Sequence, residues 1–231
     1  MRSLYFLPYN LWIWLNILKD VFIMKQNTKK LTVCAVMAAL SIALSFVKVF
    51  EMPFGGSITL FSMVPVMFAG YAYGAKWGLG TGLVLGIVQC ISGAANSLAY
   101  LTDNIPNFIL CLLFDYLVAF AVLGLAGIFK KKIKNPQASF ALGAAFAAFL
   151  RYICHFITGY IVWGGYAEDT IAGWGDFGAK LLGDFSGNAL ALVYSLVYNA
   201  SYMLPELVIS VIAAVVLISI KPIAKEAKGK N

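Results

Sequence analysis

The chain has little charge, a single histidine, and none of the short motifs that mark common catalytic or nucleotide-binding sites. Only 12% of its 231 residues are charged, about half the share typical of a soluble domain. No GxxxxGK[ST] loop is present to hold ATP, and no HExxH or GxSxG pattern suggests a metalloprotease or serine hydrolase. The four cysteines, Cys34, Cys90, Cys111 and Cys154, lie in apolar segments without a CxxC pair. They read as small packing residues rather than metal ligands or disulfides. No nucleophile is nominated beside His155, the one histidine.

What remains is apolar. Hydrophobic residues make up 61% of the chain, and the mean hydropathy is +0.85. A bilayer core of roughly 30 Å is crossed by about 20 helical residues. The apolar runs predict six spans: Leu31–Phe50, Ile58–Tyr73, Trp77–Gly93, Pro106–Phe129, Ala138–Trp163 and Ala189–Ile220. The expected fold is an all-α integral membrane protein, a six-transmembrane-helix bundle. The last span is long enough to project or to bend, and Pro205 offers the place.

The net charge of +7 invites a nucleic-acid partner, but the positions of the charges argue for a lipid bilayer and no nucleic acid. Lys25, Lys29 and Lys30 precede the first span, and Lys76 follows the second. Lys130, Lys131, Lys132 and Lys134 follow the fourth; Lys221, Lys225, Lys228 and Lys230 follow the sixth. The opposite loops hold Glu51, Asp103, Glu168, Asp169, Asp176 and Asp184, with Lys180 the exception. Basic loops stay inside, so both termini are expected in the cytoplasm.

Three parts follow: 1–30 as a cytoplasmic N-terminal segment, 31–220 as the six-helix substrate-binding membrane domain, and 221–231 as a basic cytoplasmic tail. The first 23 residues are aromatic and apolar, interrupted by Lys19 and Asp20. They read as an interfacial amphipathic helix or as an extension upstream of a start at Met24. The second reading is preferred.

Asp115, Arg151, His155, Asn199 and Glu206 stand inside apolar runs, together with Tyr116, Tyr152, Trp163, Tyr194 and Tyr198. Ionisable residues at such depth usually face a protein interior or a water-filled site. The set suggests a polar, aromatic-lined pocket on spans four to six. Arg151, His155, Gly159 and Trp163 recur every four residues on span five, so they share a helix face with gradual drift. Tyr194, Tyr198 and Tyr202 repeat likewise on span six, with Asn199 beside them. Arg151 and Glu206 lie at comparable depth and read as a structural ion pair, since either charge alone would be costly there. Gln89 reads equally as a pocket residue or as a hydrogen bond to a neighbouring helix. Gly78, Gly82 and Gly86 permit close helix packing. Ala35, Ala39 and Ala43 form a small-residue row that reads as ordinary packing or as a partner surface.

At these residues the chain resembles the thiamine-specific substrate-binding (S) components of energy-coupling factor (ECF) transporters, the thiamine transporter family of Gram-positive bacteria. The carriers are MPFGGSITLFSMVPV (52–66), AKWGLGTGLVLGIVQ (75–89), LLFDYLVAF (112–120), RYICHFITGYIVW (151–163) and YSLVYNASYMLPE (194–206). The resemblance implies a multi-pass cell-membrane protein that captures thiamine with high affinity. It implies substrate contacts from Asp115, Tyr116, His155, Trp163, Tyr194 and Asn199, with Tyr100, Gln89 and Tyr198 as further candidates. The Ala35–Ala39–Ala43 face corresponds to the family's docking helix. It would meet an energising module, a membrane scaffold subunit with two ATPases that hydrolyse the ATP; the chain itself would need no cofactor and would not be an enzyme. Thiamine's thiazolium cation and aminopyrimidine suit a carboxylate, aromatic faces and an amide. Rival readings are an S component for another vitamin or a thiamine precursor, and an intramembrane enzyme using His155 and Asp115 as acid and base.

Overall fold

The computed structural model describes residues 9–52, 56–93 and 98–228. Helix α1 (Tyr9–Ser45) opens the chain. It is continuous through Met24, so the last turns of the N-terminal segment and the first predicted span are one helix. Residues 1–8 lie outside the described residues. Within α1, Cys34, Ala38, Ser41 and Ser45 are buried, at the spacing of one helix face, while Ala35, Ala39 and Ala43 are exposed.

The first two predicted spans need correction. A two-stranded antiparallel hairpin, β1 (Lys48–Glu51) and β2 (Ser57–Thr59), takes their adjoining ends. Val47, Val49, Ile58 and Thr59 are β-branched and favour a strand over a helix. Helix α2 (Val64–Tyr73) is therefore only 10 residues long, about 15 Å at the helical rise, and is buried from Val64 to Ala72. Hairpin and short helix together stand where one apolar span was expected. Non-helical backbone at membrane depth is tolerated when it is enclosed by protein or lines a cavity, and the hairpin does the latter. Residues 53–55 of the quoted motif lie outside the described residues.

Gly74 turns the chain at φ 91° into α3 (Ala75–Gly93). The glycine row on α3 faces α4 (Ile105–Gly127). An added Cβ at Gly86 would lie 2.7 Å from the Tyr116 carbonyl oxygen, and at Gly78 or Gly82 it would strike α4 backbone. Helix α5 (Pro136–Ile161) starts at an Asn135 cap whose side chain accepts from the Ala138 amide. Two short helices, α6 (Ala167–Ala172) and α7 (Gly175–Asp184), fill the long loop before α8 (Gly187–Ser219). Helix α8 runs on through Pro205. The basic tail is helical as well, as α9 (Lys221–Lys228). It is tied down by Glu226, which pairs with Lys29 at 2.7 Å and accepts from the Tyr73 hydroxyl at 2.7 Å.

Among the described residues, five helices have the length and composition to cross a membrane, and α2 is a shorter apolar one. The core falls into two apolar clusters. One gathers Met67, Phe68, Leu85, Phe120, Phe140 and Ala214; the other gathers Cys111, Trp163, Ile171, Tyr194, Tyr198 and Tyr202. Along α4, α5 and α8, the ionisable residues Asp115, Arg151, His155 and Glu206 fall between these clusters. A polar layer therefore separates two dry ones.

Candidate functional site

A cavity of about 220 Å³ opens in the polar layer. Asp115, Tyr116, His155, Trp163, Tyr194, Asn199, Gln89 and Tyr198 all line it, as do Arg151 and Glu206. The Tyr100 side chain lies outside the described residues. Tyr152 is not among the lining residues; its hydroxyl donates to the Leu196 carbonyl at 3.2 Å.

Asp115 sits in a π-helical stretch of α4, Leu112–Val118. Such bulges recur at functional sites, and nothing in the apolar pattern announces this one. The carboxylate is enclosed by donors. His155 Nδ1 is 2.9 Å from Oδ1, Thr158 donates its hydroxyl to the same oxygen, and the Cys111 thiol donates to Oδ2 at 3.0 Å. Cys111 is thus more than filler. Thr158 escapes a reading based on a four-residue repeat, yet it stands three residues beyond His155 and so shares its face.

The histidine tautomer follows from its other neighbour. Arg151 Nε lies 3.3 Å from His155 Nε2. A guanidinium can only donate, so Nε2 accepts and Nδ1 carries the proton toward Asp115. Arg151 Nη1 reaches Glu206 Oε2 at 3.0 Å and Met63 Sδ at 2.9 Å. Glu206 Oε1 accepts from the Thr59 amide at 2.8 Å and the Thr59 hydroxyl at 2.5 Å. One chain of hydrogen bonds therefore runs from Asp115 on α4, through α5 and α8, to the hairpin.

Asn199 departs from the expected free amide. Its Nδ2 donates to the Ser195 carbonyl at 2.9 Å and the His155 carbonyl at 3.2 Å, and its Oδ1 accepts from Tyr202 at 2.8 Å. One lone pair on Oδ1 remains for a ligand. Gly159 makes room for this arrangement, since an added Cβ there would lie 2.7 Å from Asn199 Nδ2.

Aromatic rings form a column beside the polar chain. Trp174 on α7 lies 6.4 Å from Tyr194, Tyr194 is 5.3 Å from Tyr198, Tyr198 is 6.3 Å from Tyr202, and Tyr202 is 6.2 Å from His155. The long loop before α8 thus caps the tyrosine stripe. Charge on the lining does not cancel. Lys48 and Arg151 are the cations; Glu51, Asp115 and Glu206 are the carboxylates. One negative charge is left over, against aromatic faces that also attract cations. Lys48, Glu51 and Thr59 also line the cavity and are not legible as such in the sequence, because a helical reading of 31–50 and 58–73 gives Lys48 and Thr59 no reason to turn inward and a loop position gives Glu51 none.

Fold and cavity together define a multi-pass membrane protein with a polar cavity lined by aromatic rings and a surplus carboxylate. Residues 31–175 match the thiamine transporter protein family (Thia_YuaJ). A protein named thiamine transporter ThiT from Bacillus subtilis is 31% identical over 199 residues, covering 81% of this chain and 89% of that one. Another of that name, from Lacticaseibacillus paracasei, is 27% identical over 234 residues, covering 88% and 96%. A solved structure of ThiT from Listeria monocytogenes shares the fold with TM-score 0.64 at 23% identity, covering 87% of this chain and 98% of that one. The chain belongs to the thiamine transporter family.

Proposed function

We propose that the chain captures thiamine with high affinity in this cavity and delivers it inward as the substrate-binding component of an ECF-type transporter. The carrying observation is the surplus carboxylate on an aromatic-lined, membrane-embedded cavity, in a member of the thiamine transporter family. Asp115 balances the thiazolium or accepts from the aminopyrimidine amino group. Trp163, Tyr194 and Tyr198 supply ring faces, Tyr116 and Gln89 flank the ligand, and Asn199 offers one acceptor. Arg151 and Glu206 hold the carboxylate and histidine in register. A neutral vitamin would leave the site's charge unbalanced, which disfavours that rival.

The geometry speaks against the enzymatic rival. A general base needs an open nitrogen, and His155 Nε2 faces the Arg151 guanidinium, which can neither give up nor receive the proton a nucleophile would lose.

Uptake then depends on an energising module: a membrane scaffold subunit and two ATPases that spend the ATP. Support for its docking face comes from α1, where Ala35, Ala39 and Ala43 are exposed while the opposite face is buried. In this reading 31–220 is the binding domain, the basic ends at 1–30 and 221–231 face the cytoplasm, and the host is a Gram-positive cell membrane. Titration of thiamine into the purified protein, followed by tryptophan fluorescence, tests the capture step. A saturable one-to-one quench is expected. A flat response with no competition against a tighter vitamin overturns it.

A further inference from the structure

A second cavity of about 190 Å³ lies at the basic end of the bundle. It is bounded by Tyr71 on α2, by Lys130, Ile133, Lys134 and Pro136 in the α4–α5 connection, by Ile218 at the end of α8, and by α9. Lys130 is half-enclosed there. Its ammonium donates to the Ala72 carbonyl at 3.1 Å and the Ala227 carbonyl at 2.6 Å, and stands 5.3 Å from the centre of the Tyr71 ring. All three neighbours are neutral. None of the ion pairs among the described residues includes Lys130. Burial pushes this ammonium below the usual lysine range, the direction expected of a cation without a counter-charge. An ammonium has three protons to donate, and two are used. Lys134 and Lys228 add two further cations to the lining, and no acid is among it.

The depth of the cavity selects the anion. It sits where α4 and α8 end and α5 begins, so it meets the headgroup layer of a bilayer crossed by these helices. Its wall is half apolar, through Ile133, Ile218 and Ala224. The first turn of the 26-residue α5 contributes a small positive field. We infer that this cavity is a headgroup site for an anionic glycerophospholipid, its phosphate held by Lys130, Lys134 and Lys228 and its hydrocarbon resting on the isoleucine side. Zwitterionic lipids bring a cation to a ring of cations and should bind worse. Basic pockets between helix ends are known to recognise such headgroups. The inference does not depend on what the first cavity binds.

The test uses the full chain in neutral detergent, with phosphatidylglycerol or phosphatidylcholine added and bound lipid counted by native mass spectrometry. One phosphatidylglycerol should be retained in preference to phosphatidylcholine. Lys134→Gln/Lys228→Gln should lower its retention about tenfold or more. Both side chains are exposed, so the fold and the thiamine titration should not change. Lys130→Ala is the less clean variant, because it also frees α9. Equal retention of the two lipids overturns the inference, as does undiminished phosphatidylglycerol on the double variant. Displacement of the lipid by inorganic phosphate at the same occupancy overturns the lipid assignment in favour of a free-phosphate site.

Discussion

Arg151 donates from Nε to Nε2 of His155, one helical turn away on α5, at 3.3 Å. The contact decides which way the imidazole proton points, and the proton points at Asp115. The other branch of the guanidinium holds Glu206 at 3.0 Å. A residue that reads as a structural charge from sequence therefore also orients a side chain that lines the cavity.

Arg151→Met should separate the two roles. It leaves Glu206 buried without its cation, a loss of about 3–5 kcal/mol, and the melting temperature in detergent should fall sharply. Arg151→Met/Glu206→Gln removes both charges, keeps an acceptor for Thr59, and should recover most of that stability. Thiamine affinity should stay reduced in the double variant, because His155 is free to turn its proton away from Asp115. Recovery of affinity together with stability would show that Arg151 acts on packing alone.

The long helices are legible in the sequence for a simple reason: runs such as 105–127 and 187–219 are apolar enough that lipid is their only solvent. The candidate site is legible for the complementary reason that Asp115, His155 and Asn199 are expensive in such runs. The hairpin is not legible in that way. Val47–Phe50 and Ile58–Leu60 are as hydrophobic as a span, and hydropathy does not separate a strand inside a bundle from a helix. The capture of Thr59 by Glu206 depends on residues 147 positions apart. Helix α9 escapes notice because its anchors, Lys29 and Tyr73, come from two other helices.

Asp115→Asn tests the surplus charge. The amide removes the negative charge and turns one oxygen into a donor among three donors, from His155, Thr158 and Cys111. Losing a hydrogen bond to a charged group costs about 1.5–3 kcal/mol, so thiamine affinity should drop roughly ten- to a hundredfold. Oxythiamine, which has a carbonyl in place of the amino group, should bind the native protein more weakly by about 1–3 kcal/mol. Isothermal titration with both compounds measures these values. Equal affinity for the two would remove the amino-group acceptor from the site.

The anchor of α9 should respond to pH. Hydrogen bonds first from Lys29 and then from Tyr73 hold the Glu226 carboxyl below its usual range. A depressed carboxyl contributes stability above its unfolded pKa, about 4.3, and loses it as pH falls through the folded value. The pair is largely exposed, so the contribution is about 1 kcal/mol at most. Amide hydrogen exchange across 221–228 should accelerate relative to the other helix ends as pH drops below about 4. Glu226→Gln should show that looser state at neutral pH and little further change on acidification. A pH response unchanged by the substitution would assign it to another carboxyl.

The alanine row on α1 allows the proposed docking to be tested apart from the proposed capture. Ala35, Ala39 and Ala43 are exposed, whereas Cys34, Ala38 and Ser41 carry the contact with the bundle. The row is therefore free of internal packing duty, and small residues in lipid gain most by letting another helix approach. Ala35→Trp/Ala39→Trp puts two indoles on that surface without entering the core. Thiamine binding by the isolated chain should match the native protein, because the cavity is built from the hairpin, α3, α4, α5 and α8, and from α1 its described lining takes Ser45 alone, more than one helical turn beyond Ala39. Co-purification of the energising module, and uptake of thiamine by cells carrying the assembled transporter, should be lost. Asp115→Asn gives the opposite pattern, with weakened capture and intact assembly. If the tryptophan variant assembles and transports normally, the partner lies on another face of the bundle and the row serves only the lipid.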